Sequence, residues 1–410
     1  MAGVTPAVAG ATPAAAPDKL ERAAYVALLG FVAALQVSIA ASQALLGLTA
    51  VLWLTLIVRR RERVDVPAFF WPLLVYAAWT MVSAVLSIDP GTSLPDTKQL
   101  LLFAVVPMAY RLLSGRRSLT AVDVLISVAA LSAAIGVVQF GILKWSSPGQ
   151  RPQGALGMYM TFSGQLMLMA CVAAARVLFW PRDRLWPSLV LPAIIVALAT
   201  TLSRNAWVGA GVGVGLLLLM RDFRLVGLLP VLAAIFIGFA PTQLTDRFYA
   251  MFQVNHALEE TAMTTSSVQS NRDRVAMIKS GSRIIKDYPI TGVGPDMIIK
   301  VYPVYRDKGA VNQLASHLHN VPIQIAAERG IPALLAWLWF VVVLARDFLR
   351  QRRTAVITFL PNAGLACLAA MVAAGMFEYN FGDSEFLMLF LVLMTLPYAA
   401  ARPEGTEGTE

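Results

Sequence analysis

Three short segments hold the residue types that could act on an anionic substrate. The first is 271–287. At about 100° per residue, with Arg274 as zero, Val275, Met277, Ile278, Ile284, Ile285 and Tyr288 fall between about −80° and +100°. Arg272, Asp273, Lys279, Arg283, Lys286 and Asp287 fall on the opposite arc. This spacing predicts an amphipathic helix lying on the membrane or on a helical bundle, with Arg274 midway across the apolar face. Buried charges are paired, so Arg274 is an anion-binding candidate; snorkelling or a structural ion pair is the plainer alternative. Arg272 is a secondary substrate-contact candidate. Pro289 ends the helix, and Gly292-Val293-Gly294 follows as a turn whose glycine spacing alone says little about phosphate.

The second segment is Thr201-Leu202-Ser203-Arg204-Asn205-Ala206-Trp207, a short turn between two apolar runs. Ser203 is placed to cap the next helix, and Arg204 would stand at that helix's N-terminus, where the dipole favours anions. Interfacial anchoring is the alternative. The third is Ser316-His317-Leu318-His319-Asn320-Val321-Pro322, which holds two of the chain's three histidines, His256 being the other. Pro322 suits the first turn of a helix running to about Arg329, leaving His319 just ahead of it. A helix N-terminus disfavours imidazolium, so His319 would stay neutral and able to accept a proton. The H-x-H spacing could bind a metal, but no third ligand is evident nearby, so no metal or other cofactor is expected. A structural histidine stays open. Arg151, on another turn, could meet a sugar or phosphate, or serve only as a cap or headgroup contact. The acidic segment with Glu378, Asp383 and Glu385 could hold the arginines by ion pairs.

These residues need a scaffold, and composition says which kind. Of 410 residues, 58% are hydrophobic and 14% charged, against about 25% charged in soluble domains. That balance excludes a soluble enzyme, a disordered chain and a disulfide scaffold. The net charge of +9 would suggest nucleic acid, but the bases gather between apolar runs. Arg59, Arg60, Arg61 and Arg63; Arg111, Arg116 and Arg117; Arg176, Arg182 and Arg184; Arg221 and Arg224; and Arg346, Arg350, Arg352 and Arg353 account for sixteen of 33 Lys and Arg. The alternate short loops carry only Lys144, Arg151 and Arg204. This is the positive-inside pattern, so the basic loops are cytoplasmic and the three segments lie on the outer face. Cys171 and Cys367 sit in apolar runs and read as small hydrophobes.

Twelve spans are expected, at 23–41, 43–58, 68–87, 98–113, 119–142, 158–179, 186–201, 205–220, 225–240, 331–345, 356–376 and 385–400. The expected fold class is therefore an all-α integral membrane protein with one large, partly helical outer loop. Residues 1–22 form a cytoplasmic N-terminus, disordered over 1–18, ahead of nine spans in 23–240. The loop occupies 241–330, with 255–270 flexible; three spans follow in 331–400, and 401–410 is a cytoplasmic tail. Nine bases against eight acids leave the stretch 241–328 nearly neutral, so anion selectivity must come from placement. A transporter would keep charges near the bilayer midplane and show repeats; neither is seen.

The ordered set resembles the bacterial O-antigen ligases, within the O-antigen ligase and polymerase superfamily. The resemblance rests on the span layout and four motifs: Arg151-Pro152-Gln153-Gly154; Thr201 to Trp207; Arg274 followed by Asp287-Tyr288-Pro289-Ile290-Thr291-Gly292-Val293-Gly294; and His319-Asn320 followed by Gly330. Ala333 and Ile278 depart from the ligase pattern, which has Gly, Thr or Tyr at the first position and often an aromatic at the second. The resemblance implies a GT-C-like, metal-independent, inverting glycosyltransferase of the cell inner membrane, with its active site periplasmic. Its donor would be a glycan on undecaprenyl pyrophosphate and its acceptor a sugar hydroxyl of lipid A–core, among membrane lipids. Arg204, Arg274 and His319 would be catalytic, and Arg151, Asn320, Arg272 and His317 substrate-binding. An O-antigen polymerase and a protein O-oligosaccharyltransferase are the rivals within the superfamily; a lipid-linked glycan transporter is the rival outside it.

Overall fold

The computed structural model describes residues 19–147, 150–227, 230 and 266–403. Among these the chain is helical, with one isolated bridge between Ser147 and Gln150. Most of the expected ninth span, His256, residues 255–265 of the segment expected to be flexible, and residues 1–18 and 404–410 of the two tails lie outside the described residues.

Among the described residues, four helices are long and apolar enough to cross a membrane: α2 (Ile39–Arg60), α6 (Arg117–Gly141), α7 (Tyr159–Phe179) and α12 (Val321–Gln351). Shorter apolar helices are α3 (Phe70–Val85), α8 (Leu185–Thr200), α13 (Phe359–Gly375) and α14 (Ser384–Ala400). α1 (Lys19–Ala34) and α9 (Arg204–Arg221) pack with them. Between α3 and α6 come α4 (Pro90–Asp96) and α5 (Val105–Leu112). Ahead of α12 come α10 (Ser266–Asp287) and α11 (Ile298–Tyr305).

Two expectations about the spans need correcting. The first connection lies at 35–38, not near Gln43, because Ser38 is extended and its hydroxyl accepts from the Ala41 amide, restarting the helix at Ile39. The span expected at 98–113 is a 3-10 stretch, Thr97–Ala104, followed by α5. Pro107, in the first turn of α5, has no N–H to give the Phe103 carbonyl, so that α-helical bond is missing where the 3-10 stretch meets α5.

α7 is the hub, buried from Thr161 to Arg176 and packed against α8, α9 and α13. α9 approaches so closely that a Cβ at Gly209 or Gly213 would sit 2.8 Å from the carbonyl oxygen of Ala370 or Ala366, the small-residue packing of membrane helices. Cys171 and Cys367 are free and buried there, as expected of small hydrophobes.

The bundle has two chemically different ends. At one, Glu21 pairs with Arg60 at 3.0 Å and Arg117 at 2.8 Å, and Glu62 with Arg111 at 2.8 Å. α7 runs from Tyr159 to a last turn holding Arg176, and α9 from Arg204 to Arg221. The arginine clusters therefore lie at the opposite end from the Arg204 turn.

α12 is broken at Gly330, whose φ of 79° and ψ of 172° leave the helical region. The 287–294 segment is stitched into that break. Ile331 N–H donates to Pro289, Val293 N–H to Ala327 and Gly294 N–H to Glu328, at 2.8–3.0 Å. The Gly292-Val293-Gly294 turn thus satisfies helix-end carbonyls and does not present its amides to a phosphate. The Ser83 hydroxyl bonds Thr291 and Glu328 from α3. A Cβ on Gly330 would overlap the Ile290 carbonyl oxygen in a left-handed conformation. Gly330→Ala should cost at least ~3 kcal/mol, combining backbone strain with overpacking. The expected result is a large drop in Tm in detergent; an unchanged Tm would mean the break is not held by this contact.

Candidate active site

α10 forms where an amphipathic helix is expected, but its buried face is rotated. Asp273, Ala276, Met277, Ser280, Gly281 and Ile284 are buried, whereas Ile278 is 38% exposed. With Arg274 at zero these buried positions centre near about −90°. Asp273, expected on the solvent arc, is inside, and Arg274 stands at the margin of the buried face. The rotation follows from packing on protein: Met277 and Ile284 join a small core with Val293, Ile298, Tyr302 and Leu318.

That margin opens on a cavity of about 350 Å³. Arg151, Arg204, Arg274 and His319 all line it, with Tyr159, Asn205, Asp273, Asn312 and Glu378 among their neighbours. Four segments far apart in sequence deliver these side chains. Gln139 of α6 clamps the Arg151 turn, accepting from the Gln153 and Gly154 amides at 2.9 Å and donating to the Gly154 carbonyl at 2.7 Å. Arg151 lies over the Tyr159 ring, 4.6 Å from its centroid. Arg204 opens α9; Ser203 stands at the N-cap position, yet its side chain makes no capping bond. Arg204 donates to Ser270 Oγ at 3.4 Å.

Among the described residues Arg274 makes no hydrogen bond or ion pair. Burial pushes its pKa down; Glu378 and Tyr159 oppose this and the Arg151 charge adds to it. Its neighbour Asp273 is committed elsewhere, accepting from the Val311 and Asn312 amides at 2.6 and 3.0 Å. A half-buried guanidinium beside other cations, with its nearest carboxylates occupied, suits an anion with several oxygens.

His319 has a φ of 49°, and Leu202 beside Ser203 a φ of 57°. Left-handed backbone at non-glycine residues is held in place by its surroundings and gathers at functional sites. His319 Nδ1 lies 2.9 and 3.0 Å from the two oxygens of Glu378, and His317 Nε2 lies 3.1 Å from Oε1 of the same carboxylate. Burial works to raise the Glu378 pKa, but bonds to His317 and His319 outweigh it and hold the carboxyl well below its ordinary range. An ionised acceptor there assigns the proton of His319 to Nδ1 and leaves Nε2 able to accept one. A histidine backed by a carboxylate is an arrangement that general-base sites use.

The other candidates are placed differently. Asn320 is the N-cap of α12, accepting from Ile323 N–H at 3.0 Å and donating to the Met376 carbonyl. Arg272 Nε donates to the Gly309 carbonyl at 3.0 Å and does not line the cavity. His317 faces a second cavity of about 320 Å³, beside Asp383 and Glu385, with Glu378 in the wall common to both. In the acidic segment, Glu378 attracts the Arg274 charge while bonding both histidines, and Asp383 accepts from Thr161 and caps α14 at Phe386. Glu378 as the histidines' partner was not legible in sequence, since 59 residues separate it from His319. Arg272→Ala should remove one loop contact, worth about 1 kcal/mol, and leave turnover within a few-fold. A loss of activity as deep as that of a cavity arginine would place Arg272 in the chemistry.

A chain that is helical in its described residues, with several helices long and apolar enough to cross a bilayer, is a multi-pass membrane protein, and here it carries a cationic cavity at one end. Residues 189–338 match the family model described as O-antigen ligase, a stretch containing Arg204, Arg274 and His319 and excluding Arg151 and Glu378. The match supports placing the chain in the O-antigen ligase and polymerase superfamily, as a membrane glycosyltransferase of the ligase or polymerase type. No curated protein matches the chain.

Proposed function

We propose that the protein is an O-antigen ligase. It moves a polysaccharide from undecaprenyl pyrophosphate onto a sugar hydroxyl of lipid A–core, without a metal and with inversion. The observation that carries this reading is the convergence of Arg151, Arg204 and Arg274 on one cavity with a carboxylate-backed His319. Arg204 and Arg274 hold the pyrophosphate and stabilise the charge it gains as it leaves. Arg151, fixed over Tyr159, contributes a third cation. His319 Nε2 takes the proton of the attacking hydroxyl while Glu378 holds the ring and stabilises its protonated form. Both lipids approach through the bilayer, so that proximity supplies part of the rate. In this reading the cavity end is periplasmic, the loop 241–330 lies outside with it, both termini are cytoplasmic, and the membrane is the cell inner membrane.

The test is transfer with purified components: reconstituted protein, undecaprenyl-pyrophosphate glycan and lipid A–core, in EDTA throughout. The expected product is glycan-capped lipid A–core. If lipid A–core stays bare while the donor glycan lengthens on its own carrier, the protein is a polymerase. Glycan on an acceptor protein instead would make it a protein O-oligosaccharyltransferase. Movement of the donor across the bilayer with no new glycosidic bond would make it a transporter.

A further inference from the structure

His317, His319 and Glu378 each direct one ligating atom at a common point. One ligating atom from each lies within 4.8 Å of those of the other two, and no other such trio of His, Cys, Asp and Glu occurs among the described residues; His317 Nε2 and His319 Nδ1 are the nitrogens that reach Glu378. The ring centroids of the two histidines are 4.3 Å apart. The nitrogen-to-oxygen separations of 3.1 and 2.9 Å fall a few tenths of an ångström short of the about 3.3 Å that separates N and O ligands around a tetrahedral zinc. Glu378 is buried, with both imidazoles in hydrogen-bond reach of its carboxylate. The sequence alone offered only H-x-H without a third donor; the fold supplies that donor from the turn after α13.

We propose that this trio is a binding site for a zinc-like transition-metal ion, and that the ion inhibits the enzyme. Two histidines and a glutamate leave the fourth position open, as borderline metals accept. The inhibition follows from which nitrogen the metal takes. In the metal-free protein Nδ1 of His319 carries the proton given to Glu378, and Nε2 holds the free lone pair. A metal on Nδ1 needs that lone pair, so the neutral ring's proton moves to Nε2. No net proton is lost, but Nε2 can no longer accept one from a hydroxyl. On His317 the equivalent shift moves the proton from Nε2 to Nδ1, 3.0 Å from Ser316 Oγ, a hydroxyl able to accept it. Glu378 is at the same time drawn from positioning His319 to ligating the metal. The binding claim stands alone; the inhibition rests on the proposed role of His319.

The probes are Zn²⁺ and Co²⁺ added to metal-free purified protein in lipid nanodiscs, with Mg²⁺ as the hard-ion control. Calorimetry should give one Zn²⁺ bound per chain, and Co²⁺ the strong visible absorption of a four- or five-coordinate site, without substrate present. His317→Ala removes one ligand and does not touch the arginine cavity. It should weaken Zn²⁺ binding at least ~10²-fold, by analogy with lost outer partners costing 10–100-fold, a readout that does not depend on turnover. Zinc should stop transfer by wild type, reversibly with EDTA, at concentrations set by the Zn²⁺ affinity that calorimetry gives. Binding equally tight in wild type and His317→Ala, or no binding at all, overturns the site. Zinc that raises turnover overturns the inhibition and makes the metal catalytic. A protein that binds zinc at these residues but makes no capped lipid A–core would leave the metal site standing and remove the ligase reading.

Discussion

Arg274→Ala is expected to reduce glycan transfer by about 10²–10³-fold, the cost of removing one placed donor from a site where negative charge develops. The same substitution is expected to leave Tm unchanged or to raise it. The two effects have one cause. Arg274 makes no hydrogen bond or ion pair among the described residues, and burial lowers its pKa with Arg151 adding to the effect. A cation in that position destabilises the empty protein, and an anionic substrate recovers the cost when it binds. Removing the charge relieves the strain and abolishes the reason for it, a trade between stability and activity found at many sites. Turnover in EDTA and thermal unfolding of the same preparation measure the two sides. A loss of activity accompanied by a comparable loss of Tm would make Arg274 a structural residue. Arg274→Lys should recover only part of the rate, since an ammonium cannot reproduce the bidentate fork on a phosphate. Full recovery would mean that only charge is used.

Glu378→Gln is expected to be the more damaging change, with kcat lower by as much as ~10⁴, the scale set by the equivalent amide exchange in serine-protease triads. The carboxylate accepts from His317 and His319 together and from the Tyr379 amide. A carboxamide has one acceptor oxygen and an NH₂ that must face a ring nitrogen. One histidine is then driven to the other tautomer, and His319 loses either its base function or its orientation. Because Glu378 acts through His319, the loss should fall on kcat and leave the KM for the lipid-linked donor near its normal value. A rise in donor KM with kcat preserved would instead assign Glu378 to binding. NMR of ¹⁵N-labelled histidine reports the tautomer directly; an unchanged Nδ1–H signal for His319 in Glu378→Gln would remove the positioning role.

The contrast between these two residues shows what each level of description could reach. Arg204, Arg274 and His319 were visible in the sequence because each is a rare polar group in an apolar setting, next to a local signal: a turn between two spans, an amphipathic period, a proline one turn into a helix. Such signals act over a few residues, so residue type and spacing carry them. The membrane class and the separation of basic clusters from the candidate site were legible for the same reason, since water and hydrocarbon sort side chains segment by segment. The rotation of α10 was not. Its hydrophobic period allowed a buried arc centred near Arg274, but contacts of Met277 and Ile284 with α11 and the 315–318 turn turned the helix until Asp273 was inside and Arg274 faced the cavity. The role of Gly292-Val293-Gly294 was hidden likewise, because its carbonyl partners belong to the break in α12 at Gly330. Glu378 was hidden most completely: an acidic residue in a polar turn has no local mark of its partner. The sequence by itself determined which groups were available and that they belonged at one face of a helical membrane protein. The tertiary structure alone decided which of them meet, because a buried charge or carboxylate takes the partner that packing places within hydrogen-bond reach, at whatever distance along the chain.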